Sequence, residues 1–155
     1  MKIYTVNYES LIKNFKSYYD SKEVLKGLQT AYIDTMTKYR SEMESLMKSS
    51  QSLLLDESTQ SMNQQRFMTL QKDAMEVEKK LRAEIQKTQE SEMEKCYEAL
   101  TKIVGNYAAT TGIDLVLSHT SVVFAKSELD LTNIIKSELK TLDLYSEEEV
   151  LEEQD

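Results

Sequence analysis

Apolar residues recur along this chain with a helical, seven-residue period. Leu25, Tyr32, Tyr39, Leu46 and Leu53 fall at seven-residue steps, and Met36, Met43 and Ser50 stand four residues after members of that set. This spacing predicts a long helix with a single apolar seam. Ser21 reads as its N-cap, with Lys22 and Glu23 in the first turn. The stretch "LLLDESTQSMN" interrupts the pattern, and Asp56 or Ser58 can cap a second helix there. Met62, Phe67, Leu70, Ala74, Val77 and Leu81 then resume the heptad. Residues 86–95, "QKTQESEMEK", are almost wholly polar; the seam returns shifted in phase at Cys96, Leu100, Ile103 and Tyr107. Such a shift turns the stripe toward a different partner. Gly112 stands where a helix would close on a left-handed residue. The expectation is two helices, about 32 and about 53 residues long, that span roughly 48 and 80 Å at 1.5 Å per residue. They pair along 25–53 and 62–85, and the second overshoots its partner.

The ends of the chain have a different period. "KIYTVN" alternates as a strand does, and "YESLIKNF" follows as a short helical turn carrying Leu11, Ile12 and Phe15. After Gly112, "IDLVLSH" and "SVVFAK" read as a β-hairpin able to pair with the first strand. Three short strands and a few helical turns make a marginal core, so oligomerisation is the expected solution. Ile3, Val6, Leu115, Leu117, Val122 and Phe124 are the candidates for a body shared between chains. The expected organisation is a β-body from residues 1–20 and 97–145, a helical hairpin over 21–96 with its tip near 54–60, and an acidic tail over 146–155. The fold class is α+β, mostly α.

Composition sharpens this picture. The 155 residues include no proline, no tryptophan and three glycines, which leaves few breaks and favours long elements. The net charge is -8, but the last ten residues, "SEEEVLEEQD", hold six acids and no base. Without them 21 acids face 19 bases, so the rest of the chain is nearly neutral. The tail reads as solvated, since like charges repel and little apolar surface is there to bury. No basic stripe points to nucleic acid. The opening "MKIYTVNYES" lacks the apolar region of a signal peptide, so a cytoplasmic chain is expected if this is all of it, and a periplasmic one if an export signal was trimmed.

The terminal blocks carry a family likeness. "KIYTVNYESLI", a long helical hairpin and then "GIDLVLSHTSVVFAKSELDLTNIIKSEL" together resemble the Skp/OmpH family of holdase chaperones. Asp130 and Thr132 stand where that family's "D-I-T" helix start falls. The resemblance covers residues 2 to about 142, and its ends are more specific than its helices. It implies a homotrimer whose strands join into one β-body. Three helical tentacles would enclose a cavity that holds unfolded outer-membrane proteins, without ATP or covalent chemistry. This chain departs from the pattern at Ser118, where the family usually has Asp, and in its negative charge, which argues against lipopolysaccharide or membrane contact.

Methionine is the residue type closest to that function, because its flexible thioether adapts to many surfaces. Met36 and Met43 lie on the seam and are expected to fill it. Met47, Met62 and Met68, with Leu54 at the tip, are the candidates for client contact. Lys79, Lys80, Arg82 and Lys87 are interleaved with Glu78 and Glu84, a pattern of pairing along one helix rather than a phosphate site. His119 has no second ligand near it in sequence, and Cys96 sits at a seam position as a small apolar residue. No phosphate loop, nucleophile elbow or HExxH helix is present, so no enzyme, cofactor, metal or small-molecule substrate is expected. The alternative from another class is a coiled-coil scaffold with one fixed partner, whose hairpins would pack together instead of splaying.

Overall fold

The computed structural model describes residues 1–52 and 54–146. Leu53 of the expected seam, and all of the expected acidic tail except Ser146, lie outside the described residues. In chain order the elements are β1 (Ile3–Val6), α1 (Tyr8–Ile12), α2 (Lys16–Ser50), α3 (Glu57–Thr111), β2 (Leu115–Ser118) and α4 (Thr132–Thr141). Short 3-10 turns occupy His119–Ser121 and Ser127–Leu129. The fold is α+β and mostly α, with helices of 35 and 55 residues at its centre. The chain divides into two compact units: a mixed unit of residues 1–23 and 90 onward, and a helical unit of residues 24–89.

In the mixed unit, β1 and β2 pair in parallel, from Ile3 opposite Leu115 to Val6 opposite Ser118. The second edge of β1 takes the segment leading into α4, where the Leu131 amide donates to the Thr5 carbonyl at 2.8 Å. Val6, Leu11, Ile12 and Phe15 from the N-terminus meet Cys96, Leu100 and Val104 from α3 and Leu131, Ile135 and Leu139 around α4 in one buried cluster. Three segments far apart in sequence therefore share one core, which fixes where each begins and ends. Gly112 closes α3 at φ +66°, a conformation that costs glycine little. The Ile113 amide then donates to the Ala108 carbonyl at 2.9 Å, a Schellman closure. The next residue, Asp114, accepts the Lys2 amide at 2.6 Å and aligns the starts of the two strands.

The helical unit is a two-helix arrangement with a thin interior. The half-buried positions of α2 in this unit include Leu25, Tyr32, Tyr39 and Leu46 with Met36 and Met43, which is the heptad seam, and also Leu28 and Thr35. On α3 they include Asn63, Phe67, Leu70, Val77, Leu81 and Ile85, and Ala74 is the one buried residue described in this unit. A two-helix layer has no second shell to shield it, so its seam remains part-exposed. Asp56 starts α3: its carboxylate accepts the Thr59 amide at 2.8 Å. The Thr59 side chain, and then that bond, hold the Asp56 carboxyl below the usual carboxylate range.

Three expectations need correction. Ser21 is no cap; α2 begins at Lys16, and Ser21 is buried within it against Cys96. Its hydroxyl returns to the Ser17 carbonyl at 2.9 Å, the back-bond of a serine inside a helix. The hairpin is absent: β2 is a strand, but "SVVFAK" forms none among the described residues. A 3-10 turn at His119–Ser121 redirects the chain, and both edges of β1 are already taken, by β2 and by Asp130. Met62 is not on the seam, being 67% exposed; Asn63, four residues before Phe67, takes that position.

Candidate functional surfaces

Two sets of exposed apolar residues are candidates for contact with other chains. The first lies on the helical unit. Met47, Met62 and Met68 are more than half exposed, and Leu54 is 96% exposed. Met75 belongs with them at 67%. Met36 and Met43, by contrast, are half-buried on the seam. The division follows from helical geometry. Residues in heptad phase with the partner helix are covered, and those one or two positions out of phase point to solvent.

Near the chain reversal, Leu46, Met47 and Ser50 of α2 and Asn63, Phe67 and Met68 of α3 line an open groove of about 560 Å³. Its walls combine Met thioethers, a phenyl ring and amides, with no charged side chain among the lining residues. Such a surface offers dispersion contacts and hydrogen bonds without demanding one shape. Asn63 and the glutamines of this groove were not picked out in the sequence, and Phe67 was read there only as a seam residue, because a seam residue that is half covered has the same period as a buried one. Of the three consecutive leucines, Leu54 is exposed and Leu55 half-buried. Leu54 and Leu55 lie in the loop between the helices, so no helix face had to accommodate them.

A polar clasp stands farther along the same helices. Glu78 Oε1 accepts Arg82 Nε at 2.9 Å and Nη2 at 2.8 Å, and the Tyr32 hydroxyl from α2 at 2.9 Å. The Arg82 guanidinium lies 5.4 Å from the Tyr32 ring centroid. The bond from Arg82, then that from Tyr32, holds the Glu78 carboxyl below its ordinary range, and Glu78 in turn raises Arg82. Lys80 pairs with Glu76 at 3.4 Å. The basic stretch is thus partly neutralised along its own helix by Glu76 and Glu78.

The second set is in the mixed unit. Phe124 is 82% exposed and its neighbour Val123, at a bend, fully so, on a segment with no strand partner among the described residues. Leu115 and Leu117 of β2 are exposed as well. Ile3 and Val122 are half-buried, and Val6 is wholly enclosed by its own chain, so its side chain has no surface left for a neighbour. Val123, Leu129 and Ile134 add exposed apolar area that the sequence did not single out. His119 lies exposed in its 3-10 turn, and Cys96 is completely buried.

A polar lock holds the segment that carries these residues. Asp130 Oδ1 accepts both the amide and the hydroxyl of Thr132, and the Thr132 hydroxyl accepts the Asn7 amide at 2.9 Å. The end of β1 and the start of α4 are thereby tied through one buried threonine. Asp130 and Thr132 are the two residues on which the "D-L-T" likeness rested.

A model of the outer membrane protein (OmpH-like) family matches residues 2–139. The chain belongs to the OmpH-like family. Among solved structures, this OmpH-like chain is similar to a candidate outer membrane chaperone (OmpH-like) from Caulobacter crescentus CB15, with a TM-score of 0.79. The two are 11% identical, and the match covers 99% of this chain and 93% of that one. At that identity the likeness is one of fold. Among curated proteins, none matches. The family match includes both terminal blocks and the whole helical unit, so the OmpH-like pattern spans the two surfaces described above.

Proposed function

We propose that this chain is an ATP-independent holdase chaperone that works as a homotrimer. Its clients are unfolded proteins, of the outer-membrane class by family likeness. The observation that carries the reading is the set of Met47, Leu54, Met62 and Met68, exposed on a helical unit of an OmpH-like chain, with Met47 and Met68 lining an open groove that has no charged side chain. Each contact with a client is weak and tolerant of sequence. Several chains acting together raise the effective concentration and make the hold firm. Release follows when client folding outcompetes these contacts, and no covalent step, cofactor or fuel takes part. The exposed Phe124 and Val123 segment and the outer face of β2 support assembly, since both offer apolar area that has no strand partner among the described residues and that neighbouring chains could cover.

The test is suppression of aggregation. A urea-unfolded outer-membrane β-barrel is diluted into buffer with the full chain, and turbidity is followed. Suppression at about one trimer per client is the expected result. A Met47→Ser/Met68→Ser variant should lose affinity roughly two- to tenfold, the effect of removing two partly buried apolar contacts. Undiminished suppression by that variant would dissociate these methionines from client holding. No suppression by the parent chain would favour the scaffold.

A further inference from the structure

We infer that residues 143–146 form a C-terminal latch that controls opening of the mixed unit's core. The inference does not depend on the chaperone reading. α4 ends at Thr141, and the chain then reverses through Asp143, the one non-glycine residue described with a positive φ, at 56°. The Asp143 amide donates to the Lys140 carbonyl at 3.1 Å and the Leu144 amide to the Leu139 carbonyl at 2.8 Å. This is a full Schellman closure with aspartate in the place that glycine usually takes. Aspartate tolerates the left-handed region better than most residues, so the reversal is a directed one.

The reversal aims the next residues at the junction between α1 and α2. Phe15 and Tyr145 form an antiparallel bridge there. The Lys16 amide donates to the Leu144 carbonyl at 2.9 Å, and the Ser146 amide to the Asn14 carbonyl at 2.8 Å. Asn14 Nδ2 adds a third bond, to the Ser146 carbonyl at 2.8 Å. Leu144 and Tyr145 pack on the buried cluster that contains Phe15 and Leu139, and Lys136 and Lys140 of α4 lie over the Tyr145 ring. Lys16 pairs with Asp143 at 2.9 Å, an exposed contact that aligns more than it stabilises.

This arrangement decides where α2 starts. The Lys16 amide, at the first turn of α2, has its partner in the latch and not in a capping side chain. When the latch lifts, that amide and the Asn14 amide group lose their partners, and Phe15 loses the cover of Leu144 and Tyr145.

Hydrogen exchange on the full chain tests this, with Leu144→Asp to unseat the latch and Asn14→Ala as the milder change. The expected result is exchange at the Lys16 and Ser146 amides faster by roughly tenfold or more in Leu144→Asp, with tryptic cleavage appearing at Lys13 and Lys16. The amides of residues 60–80 should keep their rates in both variants. Unchanged protection at Lys16 in both variants would overturn the latch. Equal loss of protection throughout the chain in Asn14→Ala would overturn it too, by showing global destabilisation in its place.

Discussion

At the scale of single residues, the polar side chains decide what the apolar pattern leaves open. Thr132 is the clearest case: buried, it accepts the Asn7 amide and donates to Asp130. Thr132→Val keeps the shape and removes both bonds, leaving the part-buried Asn7 amide without its partner. The expected loss is about 1–3 kcal/mol, read from urea denaturation of the variant against the parent. The pair Asp130 and Thr132 was legible in the sequence as a helix start, although their tie to Asn7 was not, because it joins residues 125 apart. Ser21 was misread for a related reason. A serine before "KE" looks the same locally whether it caps a helix or lies buried within one, and only the facing Cys96 and Glu92 distinguish the two. Glu92 itself is held below the ordinary carboxylate range, first by its bond to Lys95 and also by Ser21.

At the scale of elements, α2 and α3 were the most legible part of the chain. Their heptads state which residues are covered, and Met36 and Met43 were correctly assigned to the seam against Met47 and Met68 outside it. The one slip, Met62 for Asn63, came from accepting a five-residue step where four keeps the phase. The clasp of Tyr32, Glu78 and Arg82 was not read, since it needs the register of one helix against the other. Glu78 has a lowered pKa when folded, so its stabilising contribution is present above the unfolded carboxylate value. That contribution is lost as pH falls through the lower, folded value. Acidification should therefore loosen exchange protection around Ala74–Leu81 in the parent chain, and Glu78→Gln should flatten that dependence while lowering protection at neutral pH. An unchanged acid profile in Glu78→Gln would assign the loosening to other carboxylates. The expected hairpin illustrates the opposite situation. "SVVFAK" has strand propensity, but a strand exists only with a partner, and β1 has both edges occupied within the chain.

At the scale of the whole molecule, an exposed apolar segment with no strand partner among the described residues and a thin helical seam point the same way. On the proposed reading, the exposed Val123 and Phe124 are covered by neighbouring chains and the exposed methionines contact clients. Phe124→Asp should raise the dissociation constant of the assembly by about tenfold or more, visible as monomer in sedimentation, because it places a charge where apolar contact is needed. The measurement that bears most directly on the chaperone account is mass in solution by light scattering, alone and with an equimolar unfolded outer-membrane barrel. The account predicts the mass of three chains, rising by one client, with aggregation suppressed. A stable monomer, or a trimer whose mass ignores the client, would contradict it.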